Sequence, residues 1–302
     1  MWTDQMEAEH PSGVEECKGL AQGLGFTAQE YFTAMFSYRY SLDADMGNRQ
    51  CTLVATADSD GAPLLGKTDD IGEDQLGMNV MEVCRPDSGL AHVGFHFAGT
   101  IFHVAGMNER GLAMGMTGIP GAVVDAPGLF SLVALNTILP RCADVPAAIA
   151  HLRTLRLNTY GFSLMVGDAD GRLALLECTS AGVAVLAEGP AAELQGQALT
   201  HTNGILDAAL AAEGREQPPD LQRNSSRRYD AARRMLREGR PLDEIVCGRS
   251  SDGQISQAGD DPVEMHTDFA VVCSPTERSI KLWAGVPHTV EPEVVDVAQA
   301  LA

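Results

Sequence analysis

Cys51 opens, rather than interrupts, a run in which small or apolar residues alternate with polar ones. A strand-initial cysteine is where a nucleophile made by chain cleavage would sit. Thr52 to Thr56, a Ser59-Asp60-Gly61 turn and an apolar return at Leu64-Leu65 predict a β-hairpin. The returning strand ends in Lys67, Asp69 and Asp70, and its end lies beside the start of the first strand, so a lysine and a carboxylate are brought next to the Cys51 thiol. Lysine is scarce here, occurring only as Lys18, Lys67 and Lys281 among 302 residues, which makes one at this place conspicuous. A thiol of ordinary pKa, about 8.5, is mostly protonated at neutral pH, so chemistry at Cys51 needs a base. The competing reading is a cysteine that serves as a small buried hydrophobe.

The elements around this hairpin follow from periodicity and turn residues. Leu20, Leu24, Phe26, Tyr31, Phe32, Met35 and Phe36 recur at helical spacing, and Thr27-Ala-Gln-Glu30 has the form of a helix-starting capping box. Ser41 to Gln50 reads as polar loop, and the change from helical to strand-rich sequence predicts a boundary at Cys51. A second hairpin is expected from His96 to Ala105 and Leu112 to Met116, with Gly111 suited to positive φ. A Gly/Pro-rich loop, Pro120 to Pro127, precedes helices at Leu129 to Leu139 and Val145 to Leu157, the latter capped by Asp144. Phe162 to Val166 and Leu173 to Cys178 form a third hairpin continued by Val183 to Ala187. A polar loop from Glu213 to Asn224 leads into a helix, Ser226 to Arg237, and Phe269 to Cys273 with Ile280 to Trp283 form the last hairpin. Grouped hairpins separated by helix pairs are not the alternation of a parallel βαβ sheet. The expected class is α+β, with two antiparallel sheets covered by helices.

Composition narrows the function classes. A formal charge of -20 argues against nucleic acid and anionic membrane surfaces as partners, because both demand basic patches. No stretch approaches the roughly 20 apolar residues of a membrane span. Met1 to Gly13 is polar and acidic, unlike a secretory signal. Seven scattered cysteines without a C-x-x-C pair fit reduced thiols, and the expected compartment is the cytoplasm. His92, His96 and His103 raise the question of a metal, but no Asp, Glu or Cys is expected to complete a tight cluster with them, so neither a metal nor another cofactor is expected. The methionines Met107, Met114 and Met116 read as core or as a plastic acyl pocket.

With these features in place, the chain resembles the N-terminal-nucleophile (Ntn) hydrolases, and within them the acyl-coenzyme A:isopenicillin N acyltransferase-like group (peptidase family C45), with choloylglycine hydrolases as more distant relatives. The resemblance is carried by Gly19-Leu-Ala-Gln-Gly-Leu-Gly25, Cys51-Thr52 through Gly66-Lys-Thr-Asp-Asp70, Ala105-Gly-Met-Asn-Glu-Arg-Gly-Leu-Ala113, His201-Thr-Asn203, Ser225-Ser-Arg-Arg228 and Gly285-Val-Pro287, in family order along nearly the whole chain. It implies an αββα four-layer sandwich, with a helical pro-segment or small subunit over 1–50 and the catalytic domain over 51–302. It also implies self-cleavage at Gln50-Cys51, and amide hydrolysis or acyl transfer through a Cys51 thioester. By position, Cys51 is the nucleophile, Asp70 the motif aspartate, Asn203 the oxyanion asparagine and Arg228 the arginine near the nucleophile. Lys67 stands where choloylglycine hydrolases have arginine, and Thr117 where relatives often place a second asparagine. Both are expected to bind substrate.

That chemistry needs no histidine. Cleavage before Cys51 frees an α-amine with a pKa near 8 on the same residue, and this amine can take the thiol proton directly or through one water. Asp70 would orient it, with Lys67 or Arg228 lowering the thiol pKa. The implied partner is a small-molecule acyl amide or acyl thioester, met by a heterodimer of processed fragments; the family's frequent place in specialised metabolism is association only. Gln50, Thr68, Asp69 and Gly204 depart from the commonest family residues. The alternative they support is a catalytically degenerate Ntn scaffold used for binding or interaction.

Overall fold

The computed structural model describes residues 2–45, 49–122, 127–158, 160–251, 253–260 and 262–302. Helices α1 (Trp2–Glu9), α2 (Pro11–Leu24) and α3 (Ala28–Asp45) lead into strands β1 (Arg49–Ala57), β2 (Pro63–Gly72), β3 (Asn79–Cys84), β4 (His92–Phe97), β5 (Ala105–Asn108) and β6 (Ala113–Ile119). Helices α4 (Ser131–Asn136), α5 (Ile138–Arg141) and α6 (Val145–Thr154) are followed by β7 (Gly161–Gly167), β8 (Arg172–Thr179) and β9 (Gly182–Pro190). Next come α7 (Ala191–Leu194), β10 (Leu199–His201), α8 (Ala208–Ala211), α9 (Pro219–Arg237) and α10 (Leu242–Val246), then a short ribbon of β11 (Arg249–Ser250) and β12 (Gly253–Gln254). The chain closes with β13 (Met265–Ser274), β14 (Ser279–Trp283), β15 (Glu293–Asp296) and α11 (Val297–Ala300).

Two antiparallel sheets result, one ordered β10-β1-β2-β13-β14-β15 and the other β3-β4-β5-β6-β7-β8-β9. They pack face to face through β1 and β2 against β6 and β7. Strand alternation divides β1 between two cores. Leu53, Ala55 and Ala57 enter the large core between the sheets, which continues into α2 to α6. Val54 faces the other way, into a smaller core with Ala231 and Ala232 of α9 and Leu242, Ile245 and Val246 of α10. Helix, sheet, sheet, helix is the αββα order expected from the sequence.

Local expectations hold where turn and cap chemistry is strong. Thr27 and Glu30 form the capping box reciprocally: Glu30 N–H donates to Thr27 Oγ1 at 3.2 Å and Thr27 N–H to Glu30 Oε2 at 2.8 Å. Asp144 caps α6 by accepting from Ala147 N–H at 2.8 Å. Gly111 has φ 82°, and the buried Asn108 shapes that turn by accepting from Arg110 and Leu112 N–H while donating to the carbonyls of Leu139 and Cys142.

Four boundaries are corrected. Strand β1 begins at Arg49, within the expected loop, so Cys51 is its third residue and not its first. Helix α3 runs on to Asp45, because Ser41-Leu-Asp-Ala holds no glycine or proline to stop it. The strand expected from His96 to Ala105 is broken after Phe97, where Gly99 at φ 78° turns the chain. Helix α9 begins at Pro219, inside the expected loop, since proline suits a first helical turn. Part of the Pro120 to Pro127 loop, residues 123–126, lies outside the described residues. Among the described residues no helix is long and apolar enough to cross a membrane, and all seven cysteines are free thiols.

Candidate active site

The β1–β2 hairpin sets the site by its register. Cys51 pairs with Asp69 and Leu53 with Lys67, so these four side chains share one face, and Gln50 pairs with Asp70 on the other. The shared face is the one between the sheets. Gly115 of β6 lies against Leu53 and Lys67 there. Cys51 Sγ donates to Asp69 Oδ1 at 3.6 Å and lies 3.8 Å from Lys67 Nζ. Lys67 Nζ in turn donates to Asp69 Oδ1 at 2.6 Å and to Thr68 O at 3.2 Å, and stands over the Phe269 ring, 5.1 Å from its centroid. Asn79 Nδ2 donates to the second carboxylate oxygen of Asp69 at 3.2 Å.

Both charges of the Lys67–Asp69 pair are buried, Lys67 to 1% exposure, and a buried pair persists only when its remaining hydrogen-bonding capacity is met. Burial works against the Lys67 ammonium, but the adjacent Asp69 carboxylate and the nearby thiol raise its pKa above the ordinary value. The Cys51 thiol is pushed up to about 11, chiefly by burial and against the pull of Lys67. In the uncleaved chain it is therefore a protonated thiol facing a carboxylate.

On the opposite face of β2, Asp70 accepts from Thr267 Oγ1 at 2.6 Å and from Thr68 Oγ1 at 3.4 Å, and its Oδ2 is 3.9 Å from Arg228 Nη1. Burial raises its pKa, with Arg228 and the Thr267 hydroxyl acting the other way. The carboxylate that reaches the thiol is that of Asp69, and Asp70 belongs to the Arg228 cluster. The signal for Asp69 was present in the sequence as strand alternation: a residue facing position 51 shares its face with positions 67 and 69, not 68 and 70.

Arg228 is fully buried. Its guanidinium donates to the backbone carbonyl of Cys51, to Thr52 Oγ1 at 3.0 Å, to Gln50 Oε1 at 2.6 Å, to Asn203 Oδ1 at 2.9 Å and, through Nε, to Asn224 Oδ1 at 2.7 Å. It thus grips both residues of the Gln50-Cys51 peptide. Replacing Arg228 by alanine would leave these acceptors and Asp70 in a dry space without their donor. A loss of about 3–5 kcal/mol is expected, read as a lower urea midpoint at unchanged m-value; a midpoint within error of the parent would refute it.

Asn203 follows β10, and Glu177 and Ser225 fasten that corner. Glu177 of β8 pairs with His201 Nε2 at 2.7 Å and accepts from the backbone N–H groups of Leu206 and Asp207. Ser225 of α9, one turn before Arg228 on the same buried side, accepts from Asn203 N–H at 3.0 Å and donates to Thr202 Oγ1 at 2.9 Å. So held, Asn203 Oδ1 accepts from Cys51 N–H at 3.0 Å, and Nδ2 donates to Thr117 Oγ1 at 2.8 Å and to Gly118 O at 3.0 Å. Thr117 is two residues beyond Gly115, on the face of β6 that meets Lys67. The structure therefore brings Cys51, Lys67, Asn203, Arg228 and Thr117 into one buried network, joined by Asp69, Asn79 and Ser225.

A cleft of about 440 Å³ opens beside Asn79 and Phe269 and is otherwise mainly apolar, with Val80, Met81, Phe95 and Leu282 among its lining. The three histidines lie elsewhere. The premise that no carboxylate accompanies them is corrected: Glu82 of β3 stands beside His96 and His103, while His92 is outside that group. Residues distant in sequence meet here because β3 pairs with β4.

The profile of the acyl-coenzyme A:6-aminopenicillanic acid acyl-transferase family matches residues 56–282, a stretch that contains Lys67, Asp69, Asp70, Thr117, Asn203 and Arg228 and begins just beyond Cys51. No curated protein matches the chain. Solved structures similar to it include penicillin V acylase from Agrobacterium tumefaciens, at 18% identity and TM-score 0.48, covering 81% of this chain and 84% of that one. A variant of conjugated bile acid hydrolase from Clostridium perfringens matches at 14% identity and TM-score 0.48, over 82% and 92% of the two chains. The Caenorhabditis elegans ortholog of N-acylethanolamine-hydrolyzing acid amidase matches at 12% identity and TM-score 0.48, over 75% and 93%.

Proposed function

The chain belongs to the acyl-coenzyme A:6-aminopenicillanic acid acyl-transferase family, of C45-like Ntn amidohydrolases and acyltransferases, and on that premise we propose that Cys51, freed by self-cleavage at Gln50-Cys51, takes the acyl group of an apolar N-acyl amide or acyl thioester. The observation that carries the reading is the Cys51–Asp69 register, which sets the thiol against a lysine–carboxylate pair while Asn203 and Arg228 hold the peptide before it.

In the first stage the Cys51 thiol gives its proton to Asp69 Oδ1, and the thiolate adds to the Gln50 carbonyl carbon. Collapse breaks the C–N bond, and the Cys51 nitrogen takes up a proton, leaving a thioester between Gln50 and Sγ. Water hydrolyses that thioester, which restores the Cys51 thiol and leaves Gln50 with a carboxylate end. Arg228, fixed by Asp70, positions the bond by holding Gln50 Oε1 and the Cys51 carbonyl. Asn203 Oδ1 holds the nitrogen that leaves.

In the second stage the new α-amine accepts the thiol proton and Sγ attacks the substrate's acyl carbon. Asn203 Nδ2 turns to the oxyanion the N–H that it gives to Thr117 Oγ1 in the free site, and so stabilises it. The leaving amine or thiol departs with the proton, and water or a second amine resolves the acyl-enzyme. The apolar cleft beside Asn79 and Phe269 receives the acyl chain. Side chains of α2 and α3, among them Val14, Cys17, Phe32 and Met35, are part of the main core, so the 1–50 segment stays attached after cleavage as the smaller half of a heterodimer.

Intact-mass spectrometry of the purified chain tests this. Two fragments, ending at Gln50 and beginning at Cys51, are expected, and incubation with a short acyl thioester should add one acyl mass to the Cys51 peptide. A chain that stays whole and takes no acyl group at Cys51 would overturn the reading in favour of a binding scaffold.

A further inference from the structure

Glu82, His96 and His103 form a group that the chemistry at Cys51 does not use. Glu82 and Gly94 are cross-strand partners, as are Val80 and His96, so Glu82 and His96 are diagonal neighbours on one face of the β3–β4 pair. His103 comes from the segment that returns over this face after the Gly99 turn. It reaches in because residue 94 is glycine: a Cβ there would lie 2.2 Å from the His103 ring. One ligand atom from each of the three side chains falls within 4.8 Å of the other two.

The spacing suits a metal ion. Glu82 Oε2 lies 3.4 Å from His96 Nε2 and 3.3 Å from His103 Nε2. Two ligands bound at about 2.0–2.1 Å around a tetrahedral zinc ion stand roughly 3.3–3.4 Å apart. The proton positions point the same way. His96 Nδ1 is 3.0 Å from the Phe97 carbonyl, which can only accept, so Nδ1 carries the hydrogen and a neutral ring presents a lone pair at Nε2. That Nε2 is buried without a hydrogen-bond partner and faces a carboxylate oxygen, and His96 itself is 93% buried. A lone pair facing a carboxylate oxygen across that gap leaves room for one cation between them, a proton on Nε2 or a metal ion. A backbone carbonyl on the far nitrogen is also the usual outer support of a metal-bound histidine.

We propose that Glu82, His96 and His103 bind one divalent transition-metal ion of the zinc class, which fastens the edge strand β3 to β4 and to the segment carrying His103. The donor set of two imidazoles and a carboxylate leaves a fourth position to water. Glu82 is 37% exposed and gives the ion a path in from solvent. Glu82 and His96 come from the sheet and His103 from the segment that returns over it, all beyond residue 51, so the site forms whether or not the chain is cleaved before Cys51.

The test is titration of the chelator-stripped full chain with Zn²⁺ in a calorimeter. One site per chain with a dissociation constant of about 1 μM or tighter is expected, weakened at least about 100-fold in Glu82→Gln and in His96→Gln. Saturable binding that is absent, or that survives unchanged in both variants, overturns the proposal. A readout on the unmodified chain guards against variants that fail to fold. The Co²⁺-loaded protein should show the visible bands of a tetrahedral nitrogen and oxygen site, whereas a thiolate charge-transfer band would place the ion on one of the seven cysteines and overturn the assignment.

Discussion

Replacing Cys51 by alanine is expected to leave a folded chain that neither cleaves itself nor turns over substrate, with kcat/KM reduced by at least about 10⁴-fold. Only Sγ is lost. The buried Lys67–Asp69 pair keeps its 2.6 Å contact and the Asn79 donor to Asp69 remains, so stability should change little and the loss can be assigned to chemistry. A serine at the same place separates the two stages: its hydroxyl supports slow peptide scission but is a much poorer attacking group than a thiolate at neutral pH. Intact mass and a thioester donor assay read both arms. Undiminished scission or turnover in Cys51→Ala would move the nucleophile to another residue.

Asn203→Ala is expected to lower kcat by about 10²–10³-fold, the equivalent of roughly 2.7–4 kcal/mol, with a much smaller change in KM. The side chain works from both ends: Oδ1 accepts from Cys51 N–H and from Arg228, while Nδ2 points to Thr117 and Gly118. Asn203→Asp keeps an acceptor for the Cys51 N–H and Arg228 but removes the donor. It should therefore retain scission better than turnover, and Asn203→Ala should impair both. Equal activity of the aspartate variant and the parent would remove the oxyanion role from this residue.

Much of this arrangement was legible because its causes are local. The Ser59-Asp60-Gly61 turn joins strands whose pairing runs without a slip from Arg49–Ile71 to Ala57–Pro63, so counting residues through the hairpin brings Lys67 and a carboxylate to Cys51. Which carboxylate depends on parity alone, since a shift of one residue transfers every side chain to the other face. The motif pointed to Asp70, but strand alternation sets Asp69 beside the thiol. Glu82 was not legible for a different reason: β3 is a partly exposed edge strand whose Asn-Val-Met-Glu-Val-Cys sequence carries weak alternation, and its partnership with His96 exists only through the sheet.

The sequence by itself determined the class of molecule: grouped hairpins, helix pairs between them, and a first hairpin that carries Cys51 near the start of one strand and Lys67 near the end of the other. These features depend on neighbours in the chain, where periodicity, turn residues and caps act over a few residues. Only the tertiary structure decided that Arg228 holds the Gln50 side chain and the Cys51 carbonyl, that Ser225 and Glu177 fix the corner at Asn203, and that burial raises the pKa of the Cys51 thiol. Those outcomes depend on desolvation and on contacts between residues from 22 to 178 positions apart, which are set by how the two sheets and α9 pack and not by any pattern along the chain.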